Sequence, residues 1–137
     1  AIQHDMDVTP LGYAKGQIPG LEQLAFTADE KLCKTAVEVC KKVNPDIHVT
    51  EGRVVSGDQF ISSKEIKDAL IEEFHPDCTE MEGASIAQAA TLNNIPYVVI
   101  RAISDKADGS AQEDYPTFEK KAAEHCAKLV QEMMKEL

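Results

Sequence analysis

The sequence predicts an α/β layer fold with a largely parallel sheet. Two observations carry this. After an irregular opening, segments with helical apolar spacing alternate with short apolar runs in the order helix–strand–helix–strand–helix–strand–helix, with no repeat or low-complexity tract between them. The run Val98-Val99-Ile100, flanked by Tyr97 and Ile103, is apolar on both strand faces, as expected of a strand buried from both sides. With 137 residues the chain can build one domain with a real core and is too short for two ordinary ones.

The elements follow in order. Residues 1–26 hold Pro10, Gly12, Gly16, Pro19 and Gly20 and read as a long excursion with little regular structure, the kind of loop that serves function or touches another chain. The opening AIQHDMDVTPLGY has no initiating Met and starts as though leaving an existing strand, so the chain reads as the back part of a longer protein. Thr27 and Glu30 form a capping box ahead of a helix whose stripe is Leu32, Ala36, Val39 and Val43, ended by Asn44-Pro45. A strand is expected over His48–Ser56, closed by Gly57-Asp58. Ser62 and Glu65 cap a second helix with the stripe Ile66, Leu70 and Phe74, and His75-Pro76-Asp77 turns the chain. A short strand at Cys78–Met81 passes into an Ala-rich helix from Gly83 to Leu92, broken by Asn93-Asn94. Pro96 opens the strand Tyr97–Ile103, and from Thr117 to the C-terminus Phe118, Ala122, Cys126, Leu129, Val130, Met133 and Leu137 mark a long amphipathic helix.

Composition removes several function classes. A net charge of −10 with no basic face argues against nucleic acid. No apolar stretch approaches the roughly 20 residues of a membrane span. Cys33, Cys40, Cys78 and Cys126 make no CxxC pair and have no histidine at ligand spacing, so a zinc site is not expected, and reduced core cysteines in a cytoplasmic protein are the economical reading. His4, His48, His75 and His125 are dispersed, which favours structural or exposed roles for each.

In a parallel sheet, ligands bind beyond the carboxyl ends of the strands. That rule gathers three segments: Gly57 to Ile61, Glu80-Met81-Glu82, and Ser104-Asp105. A carboxylate at the end of a buried strand costs free energy unless it is paired, neutralised or used. The bland reading is that Asp105 caps the next turn and that Glu82 caps the following helix. Two acids flanking Met81 point to opposite sides if extended, so one can face a ligand while the other anchors the scaffold.

Four segments in register, HDMDVTPLGYAKGQIPG (4–20), VSGDQFI (55–61), TEMEGASIAQ (79–88) and NIPYVVIRAISDKAD (94–108), resemble the 5′-methylthioadenosine/S-adenosylhomocysteine nucleosidases of the nucleoside phosphorylase superfamily. The resemblance runs end to end and corresponds to about the C-terminal three-fifths of such an enzyme. It implies a three-layer α/β/α nucleoside phosphorylase-like fold with a largely parallel or mixed central sheet, residues 1–137 being the C-terminal portion of a single such domain. It further implies a cytoplasmic homodimer, without metal or cofactor, that hydrolyses the N-glycosidic bond of a purine nucleoside and releases adenine.

The resemblance assigns roles residue by residue. Asp105 matches the acid that protonates adenine at N7, in a pocket dry enough to keep it protonated, and Ser104 orients that carboxyl. Arg101 matches a residue that helps hold the attacking water, although an arginine here would equally serve as an ion-pair partner. Glu82 matches the ribose-binding glutamate, where a negative charge stabilises oxocarbenium character, with Met81 beneath the sugar and Glu80 either touching substrate or structural. Phe60 matches the aromatic that stacks on adenine, and Ile61 offers its backbone to the Watson–Crick edge. Tyr115 matches an aromatic of the 5′-alkylthio pocket, on a segment where Gly109 and Ser110 are consistent with mobility, although a helix-entry staple would equally place a tyrosine there, and Val8 lines its own pocket. Leu11, Tyr13 and Pro19 match residues that reach a second subunit's site, Leu11 replacing a residue that is often aromatic.

Some family features are missing. Gly83 stands where relatives commonly have Ala. Nothing in the chain matches the general-base glutamate or the Gly-containing segment near the family's N-terminus, so this chain alone is expected to lack activity. A purine nucleoside phosphorylase shares the fold, but Lys106-Ala107-Asp108 follows where those enzymes carry an arginine, and an acid at 108 repels phosphate. A non-catalytic purine-nucleoside-binding module is the rival from another class, and the presence of Asp105 and Arg101 speaks against it.

Overall fold

A computed structural model describes residues 1–107, 109 and 115–137 of the chain. Asp108 and Ser110, to which the sequence reading gave roles, lie outside the described residues. Three short strands, β1 (Ile2–Gln3), β2 (Val54–Ser56) and β3 (Cys78–Glu80), form a parallel sheet in that order. The register places Ile2 beside Val55, Gln3 beside Ser56, and Val54, Val55 and Ser56 beside Cys78, Thr79 and Glu80. The helices are α1 (Glu30–Val43), α2 (Lys64–Phe74), α3 (Gly83–Leu92) and α4 (Tyr115–Glu136), with one 3₁₀ turn at Thr9–Leu11.

Strand alternation explains the layers. Val55 and Ser56 point to opposite faces of the sheet. On the Val55 face, Ile2 and Val55 bury themselves against Phe74, with Leu70 and Ala25 packed around them, so α2 covers this side. On the Ser56 face the hydroxyl accepts the amide of Ala84 at 2.8 Å, which seats the start of α3. A second core joins α1 to α4 through Ala36, Val39, Cys40, Leu129 and Met133, with Val98 and Ile100 against it. Each of the large apolar side chains in this seam stabilises the pair by about 1.5–3 kcal/mol relative to exposure. Asn44, buried just beyond α1, donates its amide to the His125 carbonyl at 3.1 Å and ties the two helices together.

The structure corrects the sequence reading at several boundaries. The cap of α1 is Asp29, not Thr27: its carboxylate accepts the Leu32 amide at 2.8 Å. The cap of α2 is Ser63, not Ser62, accepting the Ile66 amide. The strand expected over 48–56 is confined to Val54–Ser56, because residues 48–53 run past the ends of both neighbouring strands. Tyr97–Ile103 is not a strand. Its one backbone bond outside helices and strands, among those described, is from the Asp29 amide to the Tyr97 carbonyl at 2.8 Å. The segment instead borders two clefts, one of about 850 Å³ against α1 and α4 and one of about 680 Å³ against β3, and among the described residues it pairs with no strand. Conversely, the opening, where the sequence predicts little regular structure, contains β1. Of the four free cysteines only Cys40 is fully buried, the other three being half-buried.

Candidate active site

The smaller cleft lies at the carboxyl ends of β2 and β3. It is lined by all three segments that the strand-end rule gathers: Phe60 and Ile61 after β2, Glu80, Met81 and Glu82 after β3, and Arg101, Ser104 and Asp105 at the end of the 97–105 segment. Tyr115, at the start of α4, completes its wall.

Glu80 is the fixed point. Its side chain is only 5% exposed, and its two oxygens accept the Gly83 amide at 2.9 and 2.8 Å and the Glu82 amide at 3.2 Å. The Ser56 hydroxyl donates to the same carboxylate. Glu80 therefore satisfies the first amides of α3 and places negative charge against that helix's positive end. Gly83 makes the close approach possible, since a Cβ there would lie 2.9 Å from Glu80 Oε1. Ser56, which the sequence reading did not single out, is a hidden member of the site, and its only signal was a hydroxyl at the last position of an otherwise apolar strand.

With the cap supplied by Glu80, the Glu82 side chain makes no cap bond and stands 62% exposed in the cleft. Arg101 spans the two acids, one guanidinium nitrogen 3.6 Å from Glu80 Oε2 and the other 3.5 Å from Glu82 Oε2. One buried acid, one open acid and a half-exposed cation thus share the floor of the cleft. Asp105 lies nearby, half-buried, its Oδ2 accepting the Ser104 hydroxyl at 2.8 Å and its Oδ1 the Ala107 amide at 2.7 Å. Both bonds fix the orientation of the carboxyl group. Ser104, Arg101, Phe60 and Glu82, which line the cleft with Asp105, are exposed in this chain.

The upper wall is apolar and open. Phe60 is 70% exposed, and Met81, Ile103 and Tyr115 are exposed as well. Large apolar side chains grouped this way around polar groups mark a binding surface. Ile61, by contrast, is buried and secures the end of its loop. Tyr115 and Phe118 hold their ring centroids 6.4 Å apart on the first turn of α4.

The residues expected from the opening loop sit elsewhere. Val8 precedes the 3₁₀ turn and does not line this cleft, and Tyr13 receives the Gly20 amide at 3.3 Å on its hydroxyl. Leu11, 75% exposed, and Pro19 present apolar surface to solvent. Among the described residues, no group of three His, Cys, Asp or Glu side chains is placed to hold a metal ion.

Comparison with known proteins decides the family. The model of the phosphorylase superfamily matches residues 1–135. The chain belongs to the phosphorylase superfamily. Within it, the chain is 41% identical over 138 residues to a 5′-methylthioadenosine/S-adenosylhomocysteine nucleosidase of Anoxybacillus flavithermus, covering 99% of this chain and 58% of that protein. It is 37% identical over 135 residues to an aminodeoxyfutalosine nucleosidase of Campylobacter jejuni, covering 98% of this chain and 58% of that one. The crystal structure of the Campylobacter jejuni 5′-methylthioadenosine/S-adenosylhomocysteine nucleosidase superimposes with a TM-score of 0.90 at 36% identity, over 99% of this chain and 58% of the other. The chain therefore spans less than two-thirds of these superfamily members, and its fold is the nucleoside phosphorylase-like α/β fold with an open parallel sheet.

Proposed function

We propose that the chain supplies the acid and substrate-binding half of a nucleosidase that hydrolyses 5′-methylthioadenosine and S-adenosylhomocysteine to adenine and the corresponding thioribose. The observation that carries this reading is the single cleft shared by the segments after β2 and β3 and by Ser104-Asp105, with Glu82 open, Glu80 closed, Asp105 oriented by two hydrogen bonds and the Phe60 ring exposed in the same cleft. Phe60 stacks on the adenine, and the backbone of Ile61 reads its edge. Asp105 delivers a proton to N7 as the C1′–N9 bond breaks and its electron pair moves into the base. Glu82 faces the ribose hydroxyls and stabilises the positive charge that develops on the sugar. Arg101, held by both glutamates, steers the water that adds to C1′, while its proton passes to a base outside this chain.

The 5′ substituent lies against Tyr115, and Met81 packs beneath the sugar. The likeness to an aminodeoxyfutalosine nucleosidase supports aminodeoxyfutalosine as a second substrate. Leu11, Tyr13 and Pro19 support a homodimer in which this loop borders the partner's site, Leu11 being an exposed apolar side chain with no role in its own cleft. Four unpaired thiols fit a reducing cytoplasm.

The test is adenine release by the full-length protein. Asp105→Asn is expected to lower kcat by about 10²- to 10⁴-fold, the range of a lost general acid. Equal release by wild type and variant would remove Asp105 from that role, and strict dependence on added phosphate would replace hydrolysis by phosphorolysis.

A further inference from the structure

We infer that Asp5 is a positioning residue for the base-binding loop 57–61, holding that loop through the Asp58 backbone amide so that the nucleoside meets a preformed surface. The inference rests on the proposed nucleosidase reading and adds a residue outside its cleft.

The loop belongs to no helix or strand, yet it carries Phe60 and Ile61. Its start is fixed where the Gly57 amide donates to the Glu80 carbonyl at 3.1 Å, and its end where Ile61 is buried. Between those points the Asp58 amide donates to Asp5 Oδ2 at 2.7 Å, a charge-assisted bond of good length. The anchoring carboxylate is itself oriented, because Gln3 Nε2 donates to Asp5 Oδ1 at 2.6 Å. Gln3 is the β1 residue paired with Ser56, immediately before the loop. The circuit Gln3–Asp5–Asp58–Ser56 thus closes on two adjacent strands.

His4 supports the same arrangement from below. Its amide donates to the Ser56 carbonyl at 2.9 Å, and its ring atoms Nε2 and Cε1 lie close to Gly57. A Cβ on Gly57 would fall 2.5 Å from His4 Nε2 and 3.0 Å from Asp5 Oδ2, so position 57 admits only glycine in this arrangement. The close fit places the loop backbone directly on the His4-Asp5 pair. Asp5 touches neither the cleft nor Asp105, so its loss reaches the chemistry only through the loop.

An unanchored loop must be ordered when substrate binds, and that cost falls on binding and not on bond cleavage. In the full-length protein, Asp5→Ala is expected to raise KM for methylthioadenosine about tenfold, with kcat within about twofold of wild type. Asp5→Asn keeps an acceptor oxygen for the Asp58 amide and is expected to restore most of the lost affinity. Asp105→Asn, assayed in parallel, separates the two ideas. An unchanged KM in Asp5→Ala alongside loss of release in Asp105→Asn overturns the inference and leaves the nucleosidase reading standing. A fall in kcat, or failure of Asp5→Asn to recover KM, assigns Asp5 a merely structural role and also overturns it. A wild-type protein that releases no adenine removes both.

Discussion

Ser56 satisfies two buried groups with one hydroxyl. It donates to Glu80 and accepts the Ala84 amide at 2.8 Å, in a position with no solvent access. An alanine there leaves a buried amide without a partner and removes a donor from a largely buried carboxylate. Such orphaned groups cost about 1–3 kcal/mol. Ser56→Ala is therefore expected to lower unfolding stability by about 2 kcal/mol in a urea titration. Ser85→Ala, which deletes an exposed bond to the Glu82 carbonyl, is expected to stay within about 0.5 kcal/mol of wild type. If the two variants unfold alike, Ser56 is not the partner that keeps the Glu80 carboxylate in place. The contrast also explains the division of labour between the two glutamates. Because Glu80 and Ser56 together meet the amides at the start of α3, Glu82 is not needed as a cap and remains available to the cleft.

At the scale of elements, two capping assignments make opposite predictions. The capping box written in the sequence gives the α1 cap to Thr27, whereas the structure gives it to Asp29, whose carboxylate receives the Leu32 amide. Asp29→Ala is expected to cost about 1 kcal/mol of stability and Thr27→Ala about half a kcal/mol or less, read from thermal or denaturant unfolding. The reverse order would restore the box. Both candidates are cap-competent residues two positions apart, and only the path of the chain after Phe26, tied by its amide to the Ala1 carbonyl, selects between them. Local pattern was enough for all four helices, because Val39, Phe74, Ala87 and Leu129 recur on faces that a core must bury. It was also enough to bring the ends of β2 and β3 together, since that follows from parallel order alone, whereas Ser104-Asp105 reaches the same cleft from a segment that is not a strand. It failed for Tyr97–Ile103. A run of β-branched residues states that a segment can be a strand, but a strand exists only where a neighbour supplies main-chain partners, and that is a property of the whole sheet. Ser56 and Asp5 were illegible for a related reason: a serine ending a strand and an acid in a turn acquire meaning only from groups on another element.

At the scale of the molecule, His4 couples the stability of the fold to pH. It is 7% exposed, and among the described residues its Nε2 has no hydrogen-bond partner. Burial holds its pKa below the ordinary value of 6.5, with Asp5 pulling it up and Lys15 pushing it further down. The unfolded chain therefore binds a proton at this position at a pH where the folded chain does not. Stability is complete above the unfolded value of 6.5 and is lost as pH falls through that value towards the lower folded pKa. The loss from one such group is at most about 1.4 kcal/mol per pH unit. Asp5 acts in the same direction in a lower window. Burial raises its pKa, but the Asp58 amide, Gln3 and His4 outweigh that and hold it below 3.8, so its contribution fades only under stronger acid. The midpoint of urea unfolding is expected to fall between about pH 7.5 and about pH 5 in the wild-type chain, and to fall clearly less in His4→Gln, which cannot take up the proton. Parallel pH profiles for the two proteins would mean that the acid sensitivity arises elsewhere and that the buried ring is silent.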